Sequence, residues 1–492
     1  MKLEKNNTKN IEYIKKNNGN SSDISERNLK INNTNISYIF LESVSSDDKI
    51  SDFTLKSITK DIKRKKIINF ENIFEMLKNT LPNSKVKIID TYEDVFFHLS
   101  SGFTCIFIDK YDKALAIETK QQLDRGVQNA TTEAVIKGPK DSFTENHMIN
   151  IGLIRKRIKD NNLFFKEFFI GRRTKTKVTV SYIDDVVKKN QVEKVIEKLN
   201  KIDIDGILDS GYLRSFFNEE ETVFPKIIST ERPDLASSSL LDGKIIILVE
   251  NSPFALIMPG TMNDFLKSPE DYYQKPFNVS FTRILRYIAF FITVLTPALY
   301  IAFTTFNPEL IPDAILISLA TERENVPFPT MLEVVLFLTV FEILRETDIR
   351  TPNVMGTAIS VVGALVLGEA SVNAGIISPI VVIVVAITSI SGLCFYDIDF
   401  INAIRWYRLI FILFASFLGV VGFAIGLILF FIKLTSIECM GVPYLEPFSP
   451  FSKKGHKDSV IKVSTPNLKD RDPYLSDNSK RISDINEKNN SN

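Results

Sequence analysis

Ionisable and polar residues inside the most apolar third of the chain are the first candidates for chemistry. Glu369, Ser371 and Asn373 lie in the run GALVLGEASVNAGIISP, and Glu333 lies in an earlier apolar run. A charged group in lipid is costly, so by default it indicates an ion pathway or a packed polar contact. Glu333 has no charged neighbour at helical spacing. We therefore take these four residues as candidate ion contacts of a pore.

Small residues recur at every fourth position just before these polar groups. They are Gly356, Ser360, Ala364 and Gly368. In lipid, a face of this kind lets helices approach closely, because packing drives their association. The pattern predicts a helix-packing face that serves assembly. Gly422 and Gly426 repeat the spacing once, and alone that pattern is common by chance.

Charges and prolines interrupt the apolar region around residues 310–329. The stretch 310–320 is too short to cross a hydrocarbon core of about 30 Å at about 1.5 Å per residue, so we expect a re-entrant or interfacial helix. Prolines leave backbone groups available to a cavity. The candidate gating region comprises Glu322, Arg323, Glu324, Pro327 and Pro329. Further along, Glu342 and Arg345 have the spacing of a helix-end ion pair.

A basic cluster precedes the apolar region. It comprises Arg155, Arg157, Arg172, Arg173 and Lys175. It either binds phosphate, RNA or anionic headgroups, or forms a solvated face whose charges pair with neighbours such as Asp184, Asp185 and Glu167. The cluster lacks the interleaved aromatic residues used in single-strand binding, and the run GRRTKTK lacks the glycines of a phosphate loop. We favour the paired face and expect no nucleic acid partner.

Residues suited to enzymatic or metal chemistry are scarce. The chain of 492 residues has three histidines and three cysteines, and the cysteines show no paired spacing. This argues against a zinc site, a disulfide scaffold and a histidine-dependent triad. The net charge of +1 gives no overall field for an acidic or nucleic acid partner. We expect no enzymatic activity, no metal and no cofactor.

The sequence pattern of the elements that must position these residues predicts a multi-domain protein. Residues 1–48, rich in Asn, Lys and Ser, predict a disordered arm. Residues 49–141 and 142–277 predict two small cytoplasmic subdomains of α/β or α+β type. Residues 278–435 predict a polytopic α-helical membrane domain, and residues 436–492 a polar tail.

Periodicity places individual elements within the two subdomains. The first has a helix around 57–62 or 71–81 and a hairpin around DKYDK. In the second, Ser142 and Glu145 have capping-box spacing before an amphipathic helix. Two strands in LFFKEFFIGRRTKTKVTVSYI, a helix in NQVEKVIEKLNKI and a buried strand at 245–249 follow.

Five spans are predicted in the membrane domain. They cover residues 284–303, 330–344, 357–377, 380–395 and 409–432. Arginines near the span ends place the N-terminal subdomains in the cytoplasm. The tail is also basic, which conflicts with five crossings. Either the tail crosses despite its charge, or the region around Leu310 completes an even count, which we favour.

Several runs together resemble one family. They include GPKDSFTENHMINIGLIRKRI, FFIGRRTKTKV, ERPDLASSSLLDGKIIILVENSPFALIMPGTMNDFLKSPEDYY, ATERENVPFPTMLEVVLFLTVFEILRE and GVPYLEPFSPF, besides the run that contains Glu369. In collinear order from about residue 50 to 451, they look like the A subunit of GerA-type spore germination receptors (the GerA/SpoVAF-like family). No single motif carries the resemblance.

The resemblance implies a membrane subunit in the inner membrane of a dormant spore, with its N-terminal domains in the cytoplasm. Such subunits work with a transporter-like B subunit and a lipoprotein C subunit. Nutrient sensing leads to ion release and germination, and A subunits are thought to oligomerise into the ion-conducting channel. Asp397 and Asp399 depart from the family pattern, and the germinant stays open.

Two alternatives to a channel remain. One is a non-conducting scaffold that couples a transporter-like partner to downstream germination proteins through its cytoplasmic domains. The other is a secondary transporter, which should show inverted repeats. No convincing inverted repeat is found in the sequence. A channel that releases monovalent cations is the leading hypothesis.

Overall fold

The computed structural model describes residues 1–31, 34–50, 86–121, 133, 135–217, 222–324, 326–350, 366–478, 480 and 481. Two units of mixed helix and strand come first, and a helical domain with a C-terminal tail follows. The helix predicted around 57–62 or 71–81 lies outside the described residues.

The first unit is a five-stranded antiparallel sheet in the order β1-β2-β4-β5-β3. Its elements are α1 (Asn7–Asn17), β1 (Ile24–Ile31), β2 (Thr34–Leu41), β3 (Val86–Ile89), α2 (Tyr92–Ser100), β4 (Phe103–Ile108) and β5 (Ala114–Glu118). The hairpin predicted around DKYDK is confirmed, because Phe107 of β4 pairs with Ala114 of β5.

The second unit has a sheet in the order β6-β7-β9-β10-β8. Its elements are α3 (His147–Arg157), β6 (Leu163–Ile170), β7 (Thr176–Ile183), α4 (Lys189–Lys201), α5 (Ser210–Phe217), β8 (Ile228–Thr230), α6 (Pro233–Leu241), β9 (Ile245–Val249), β10 (Ala255–Met258) and α7 (Met262–Phe265). The strands and helices predicted here are confirmed. The predicted cap at Ser142 is wrong, because Asn146 caps α3 by accepting from the N–H groups of Met148 and Ile149.

The two units repeat one architecture. Their strands follow the same order, and the pattern Asn-x3-Asn-Ile-x2-Ile occurs at 6–14 and again at 146–154. In each copy the side chain of the second asparagine donates to a backbone carbonyl six residues earlier. Asn10 Nδ2 donates to the Glu4 carbonyl, and Asn150 Nδ2 donates to the Thr144 carbonyl, both at 2.6 Å. The structure therefore contains a duplication that composition did not indicate.

The prediction of a disordered arm at 1–48 is wrong. β2 lies inside the first sheet, between β1 and β4, and Ile36, Tyr38 and Ile39 are 0% exposed. Average composition hid this strand, because the apolar residues are concentrated in it. The asparagines around α1 instead bond the backbone, as the Asn6 side chain does when it caps the helix.

The helical domain follows the second unit. It contains α8 (Pro276–Ile301), a π-helical turn (Ala302–Phe306), α9 (Asp313–Arg323), α10 (Thr330–Arg350), α11 (the helical residues 366–373), α12 (Pro379–Gly392) and α13 (Ile398–Ser436). At the start of α13, Phe400 stacks on Phe265 of the second unit with ring centroids 5.4 Å apart. We call this end of the domain proximal and the opposite end distal.

Gly419 divides α13 into two antiparallel arms, 398–418 and 420–436. Its φ of 60° and ψ of −139° are not helical. The rings of Tyr407 and Phe430, on opposite arms, lie 4.9 Å apart, whereas a continuous helix would separate them by roughly 35 Å at about 1.5 Å per residue. The prediction of one span at 409–432 is therefore wrong.

Small residues make this reversal possible. A Cβ on Gly422 would lie 2.1 Å from the Phe414 carbonyl oxygen, and one on Gly426 would lie 3.2 Å from the Phe411 ring. At the tip, Asn307 Oδ1 accepts from the Val420 N–H at 3.3 Å and so caps the second arm. The GxxxG pattern thus serves contact between the two arms.

Among the described residues, two helices are long and apolar enough to cross a membrane, Pro276–Phe306 and Ile398–Ser436. The second of these is the hairpin that reverses at Gly419. The helix α12 is apolar but shorter. These helices support membrane association of the chain.

The tail returns to the proximal end. Tyr444 accepts from the Met262 N–H at 2.8 Å, and Arg283 of α8 donates to Asp458 at 2.9 Å. The start of α8 and both ends of α13 therefore lie on the side of the two α/β units. Because of the reversal at Gly419, α13 begins and ends at the proximal end, whereas α9 lies at the distal end, where Arg323 approaches Glu333. The number of crossings, and the preference for the region around Leu310 as the one that makes it even, stay predictions.

Candidate functional site

A buried carboxylate lies at the distal end, where α8, α9, α10 and α12 approach one another. Glu333 is in the first turn of α10 and is 0% exposed. Its N–H donates to the Pro329 carbonyl at 3.2 Å, which fixes the start of the helix. A negative charge at this position is favoured by the dipole of α10.

The same carboxylate also caps a second helix. Its Oε2 accepts from the backbone N–H of Ser378 at 3.0 Å, and Ser378 is the N-cap residue of α12, with Pro379 next. Hydrogen bonds to a charged acceptor are stronger than neutral ones. Glu333 therefore joins the N-terminal ends of α10 and α12.

A guanidinium and two hydroxyl groups complete this arrangement. Arg323 Nη2, at the end of α9, lies 3.6 Å from Glu333 Oε1. The hydroxyls of Tyr300 and Ser378 lie beside each other, and among the described residues the Nε of Arg323 and the Oε1 of Glu333 have no hydrogen-bond partner. We call Tyr300, Arg323, Glu333 and Ser378 the distal junction. The polar atoms of the junction that lack a hydrogen-bond partner suit contact with water or a small ion.

Of the four predicted ion contacts, Glu333 belongs to the junction and the other three lie on α11, the helix that precedes it. Glu369 and Asn373 of α11 are exposed, and Ser371 is half-buried. The helix ends where the N–H groups of Ile376 and Ile377 donate to the Ser371 carbonyl, with Gly375 at φ 64°. Gly375 takes this left-handed conformation without the steric cost of a Cβ. The turn leads directly to Ser378.

The predicted packing face is described only at its last residue. Gly356, Ser360 and Ala364 lie outside the described residues. Gly368 is buried, and a Cβ there would meet the Val382 side chain of α12 at 3.9 Å. That contact lies within one chain, so a role of the face in assembly stays a prediction.

The candidate gating residues separate into two groups. Arg323 and Pro329 belong to the distal junction or border it, whereas Glu322, Glu324 and Pro327 are exposed. The predicted pair of Glu342 with Arg345 is wrong. Glu342 instead pairs with Arg405 at 2.7 Å and Arg408 at 2.8 Å, because the first arm of α13 brings both arginines to it.

The structure does not bring the basic cluster together as a free surface. Arg155 is 0% exposed and forms two hydrogen bonds with Asp23 of the first unit. The other pairs are Arg157 with Asp141, Arg172 with Asp203, and Arg173 with Asp205. Lys175 is exposed in the β6–β7 turn. The four arginines are paired, but not with the aspartates and glutamate that the sequence suggested.

Sequence reasoning missed Tyr300 and Ser378. Ser-Pro before an apolar run indicates an N-cap followed by proline at the first helical position, and this signal could have located Ser378. No sequence signal pointed to Tyr300. Among the described residues, no group of three or more His, Cys, Asp or Glu side chains could hold a metal ion.

Comparison of the sequence with known proteins shows which family this chain belongs to. Residues 12–474 match the family described as Bacillus/Clostridium GerA spore germination protein. The chain belongs to the GerA family. Spore germination protein KA of Bacillus subtilis (strain 168) is 38% identical over 459 residues, covering 92% of this chain and 84% of that protein.

Further members of the GerA family show similar coverage. Spore germination protein A1 of Bacillus subtilis (strain 168) is 32% identical, over 87% of this chain and 88% of that protein. Among solved structures, the N-terminal domain of the A subunit of the Bacillus megaterium spore germinant receptor GerK3 is 31% identical. The match covers 53% of this chain and 96% of the GerK3 domain, with a TM-score of 0.43. The resemblance inferred from the sequence motifs is confirmed, and the family supports a role in spore germination.

Proposed function

We propose that this GerA family protein is the A-type membrane subunit of a nutrient germinant receptor, and that copies of it form a nutrient-gated channel for monovalent cations. The exposure of Glu369 and Asn373 on α11 is the observation that carries this proposal. Val366 and Leu367 on the same helix are also exposed, at 55% and 43%. One helix thus presents both apolar and ionisable groups.

Within the part of a single copy that the structure describes, these polar groups have no partner that suits lipid. A carboxylate that faces hydrocarbon is costly, whereas one that faces a water-filled lumen is not. Copies arranged around an axis would place Glu369 and Asn373 on such a lumen, with Ser371 at its edge. A ring of carboxylates is a common means of selecting cations.

The distal junction supplies a gate. The turn at 374–378 joins α11 to α12, and Glu333 accepts from the N–H of Ser378, the N-cap residue of α12. Arg323 links Glu333 to α9 by a longer contact of 3.6 Å. A displacement of α9 would change the charge beside Glu333, alter the cap of α12 and so move α11 in the pore.

The proposed topology has six crossings. They are α8, α10, the predicted span 357–377 that contains α11, α12 and the two arms of α13. The α/β units and the tail then lie together in the cytoplasm, and the chain lies in the spore inner membrane. Its partners would be a transporter-like B subunit, a lipoprotein C subunit, membrane lipid and further copies of itself.

A non-conducting scaffold is the second candidate, and one surface favours it. Tyr212 and Phe216 are neighbours on α5 of the second unit and are 44% and 38% exposed. Such an apolar pair on a soluble unit suits contact with another protein. A scaffold would use this face to couple a transporter-like partner to downstream proteins.

Cation flux from liposomes distinguishes the two functions. The full-length chain, alone and with its B and C partners, is reconstituted and tested with nutrient as wild type, Glu369→Gln, Asn373→Ala and Gly368→Leu. We expect the first two variants to change cation selectivity or lower flux about tenfold, and Gly368→Leu to reduce assembly. Glu438→Gln, an exposed position on the tail, is the matched control and should conduct like wild type.

Two results would contradict the channel. One is wild-type flux in Glu369→Gln and Gly368→Leu from a protein that stays monomeric. The other is the absence of flux in every condition with all partners present, which the scaffold predicts.

A further inference from the structure

Arginines gather in the proximal half of the helical domain, away from the distal junction. Arg408 on the first arm of α13 donates to Glu342 of α10, Arg405 forms an ion pair with the same carboxylate at 2.7 Å, and Arg345 lies beside them. This arginine cluster (Arg345, Arg405 and Arg408) faces Glu342, with Glu346 at its outer side. Positive charge is in excess between these helices.

Two cavities open beside the cluster and share Arg405, Arg408 and Glu342 as walls. The first has a volume of about 210 Å³ and is also lined by Ile390 and Leu393. The second, of about 510 Å³, is lined by Trp406 and Leu409. Each therefore combines guanidinium groups with an apolar wall.

The cluster has donors to spare for a bound anion. Arg408 is 5% exposed, yet its Nε and the Nε of Arg405 have no hydrogen-bond partner among the described residues. A buried donor without a partner is costly. The planar guanidinium matches the geometry of a phosphate group.

The surroundings indicate which phosphate compound fits. Trp406 is 61% exposed beside the arginines, and Ile390 and Leu393 are 66% and 73% exposed at the first cavity. Tryptophan is enriched where membrane proteins meet the headgroup level. A free anion needs only the arginines, whereas an amphipathic ligand also uses the apolar wall.

We infer that the arginine cluster binds the phosphate headgroup of an anionic phospholipid, whose acyl chains lie along Ile390 and Leu393. Basic pockets between helices on the cytoplasmic side suit such headgroups. The site joins α10, α12 and the first arm of α13. Bound lipid would therefore stabilise the contact among these helices.

The single tryptophan of the chain provides a local probe, because Trp406 is the only one. The full-length protein in neutral detergent is titrated with brominated phosphatidylglycerol or brominated phosphatidylcholine, and quenching of Trp406 fluorescence is recorded. We expect half-maximal quenching at a several-fold lower fraction of phosphatidylglycerol. Arg405→Gln and Arg345→Gln should each reduce this preference about fivefold.

A charge change of the opposite sign tests the same site. Glu342→Gln removes the negative partner and should strengthen the preference for phosphatidylglycerol, which a merely structural role would not do. Arg173→Gln, at an exposed arginine of the second unit, is the matched control and should leave the preference unchanged.

Three results would overturn the inference. The first is equal quenching by both lipids. The second is loss of the preference when millimolar inorganic phosphate is added, which indicates a site for a free anion. The third is no quenching by either lipid, which indicates that another protein copy covers Trp406.

Discussion

At the scale of single residues, buried charges in this protein find partners far along the chain. Asp23 accepts from Arg155 and from the hydroxyls of Ser21 and Ser43. Burial opposes ionisation of Asp23, but Arg155 outweighs it and lowers the pKa of that carboxyl. Removing one member of such a pair leaves an uncompensated buried charge. Arg155 therefore serves the contact between the α/β units.

His147 makes the stability of the second unit dependent on pH. Its Nε2 lies 2.7 Å from Thr179 Oγ1, and burial lowers the pKa of His147 to about 4, with Lys177 acting in the same direction and Glu250 against it. Unfolding restores a pKa near 6.5, so the unfolded chain binds more protons between these values. Stability is fully present above about pH 6.5 and falls as pH drops toward 4.

We expect His147→Gln to weaken that dependence. Glutamine can keep a hydrogen bond to Thr179 without taking up a proton. Thermal unfolding of wild type and variant at pH 7.5 and 5.0 measures the effect, whose upper bound between these two pH values is about 2 kcal/mol. Identical pH profiles would show that His147 does not titrate on unfolding. The comparison at pH 7.5 controls for lost packing.

At the scale of elements, the hairpin α13 depends on glycines where its arms meet. Apolar periodicity is alike on both sides of Gly419, so the sequence reads as one long helix. The reversal requires positive φ at Gly419, and a Cβ there would lie 2.6 Å from Phe306 Cβ. Sequence reasoning saw the apolar length and the GxxxG spacing but not that the chain packs against itself.

We expect Gly422→Ala to destabilise the helical domain by more than about 2 kcal/mol, because the added methyl group meets the Phe414 carbonyl oxygen of the opposite arm. Gly392→Ala is the matched control, since its Cβ would meet Thr293 at an ordinary 3.6 Å. Melting temperature and size-exclusion profiles of both variants in detergent check this. Equal behaviour of the two variants would argue against the hairpin contact.

At the scale of the whole molecule, the C-terminal tail packs at the proximal end of the helical domain and against the second unit. Asp458 of the tail accepts from Arg283 of α8, and Ser476 donates to the Val186 carbonyl of the second unit. A charged tail on the side of the α/β units agrees with the excess of arginines there. The tail thus ties the helical domain to the second unit.

Cysteine labelling in sealed vesicles tests this arrangement. Single cysteines at Lys175 and Lys453, both exposed, should react with an impermeant maleimide from the same side, and one at Glu309 from the opposite side. The background carries Cys394→Ser, because Cys394 is exposed whereas Cys105 and Cys439 are buried. Labelling of Lys175→Cys and Lys453→Cys from opposite sides would mean an odd number of crossings.

The sequence by itself determined the family, the division into α/β units and an apolar helical part, and the elements α3, β6, β7, α4 and β9 of the second unit. These follow from local periodicity and from collinear motifs. It also singled out Glu333 and Arg323 as polar residues in unfavourable surroundings, without indicating that they approach each other.

Only the tertiary structure decided which distant residues meet. The bond between Glu333 and the Ser378 N–H, the pairing of Glu342 with Arg405 and Arg408, and the reversal at Gly419 depend on helices that are separated in sequence. The N-terminal arm became a sheet for the same reason, because β2 gains its hydrogen bonds from β4. Local composition carries no information about such partners, since burial and hydrogen bonding are properties of the assembled chain.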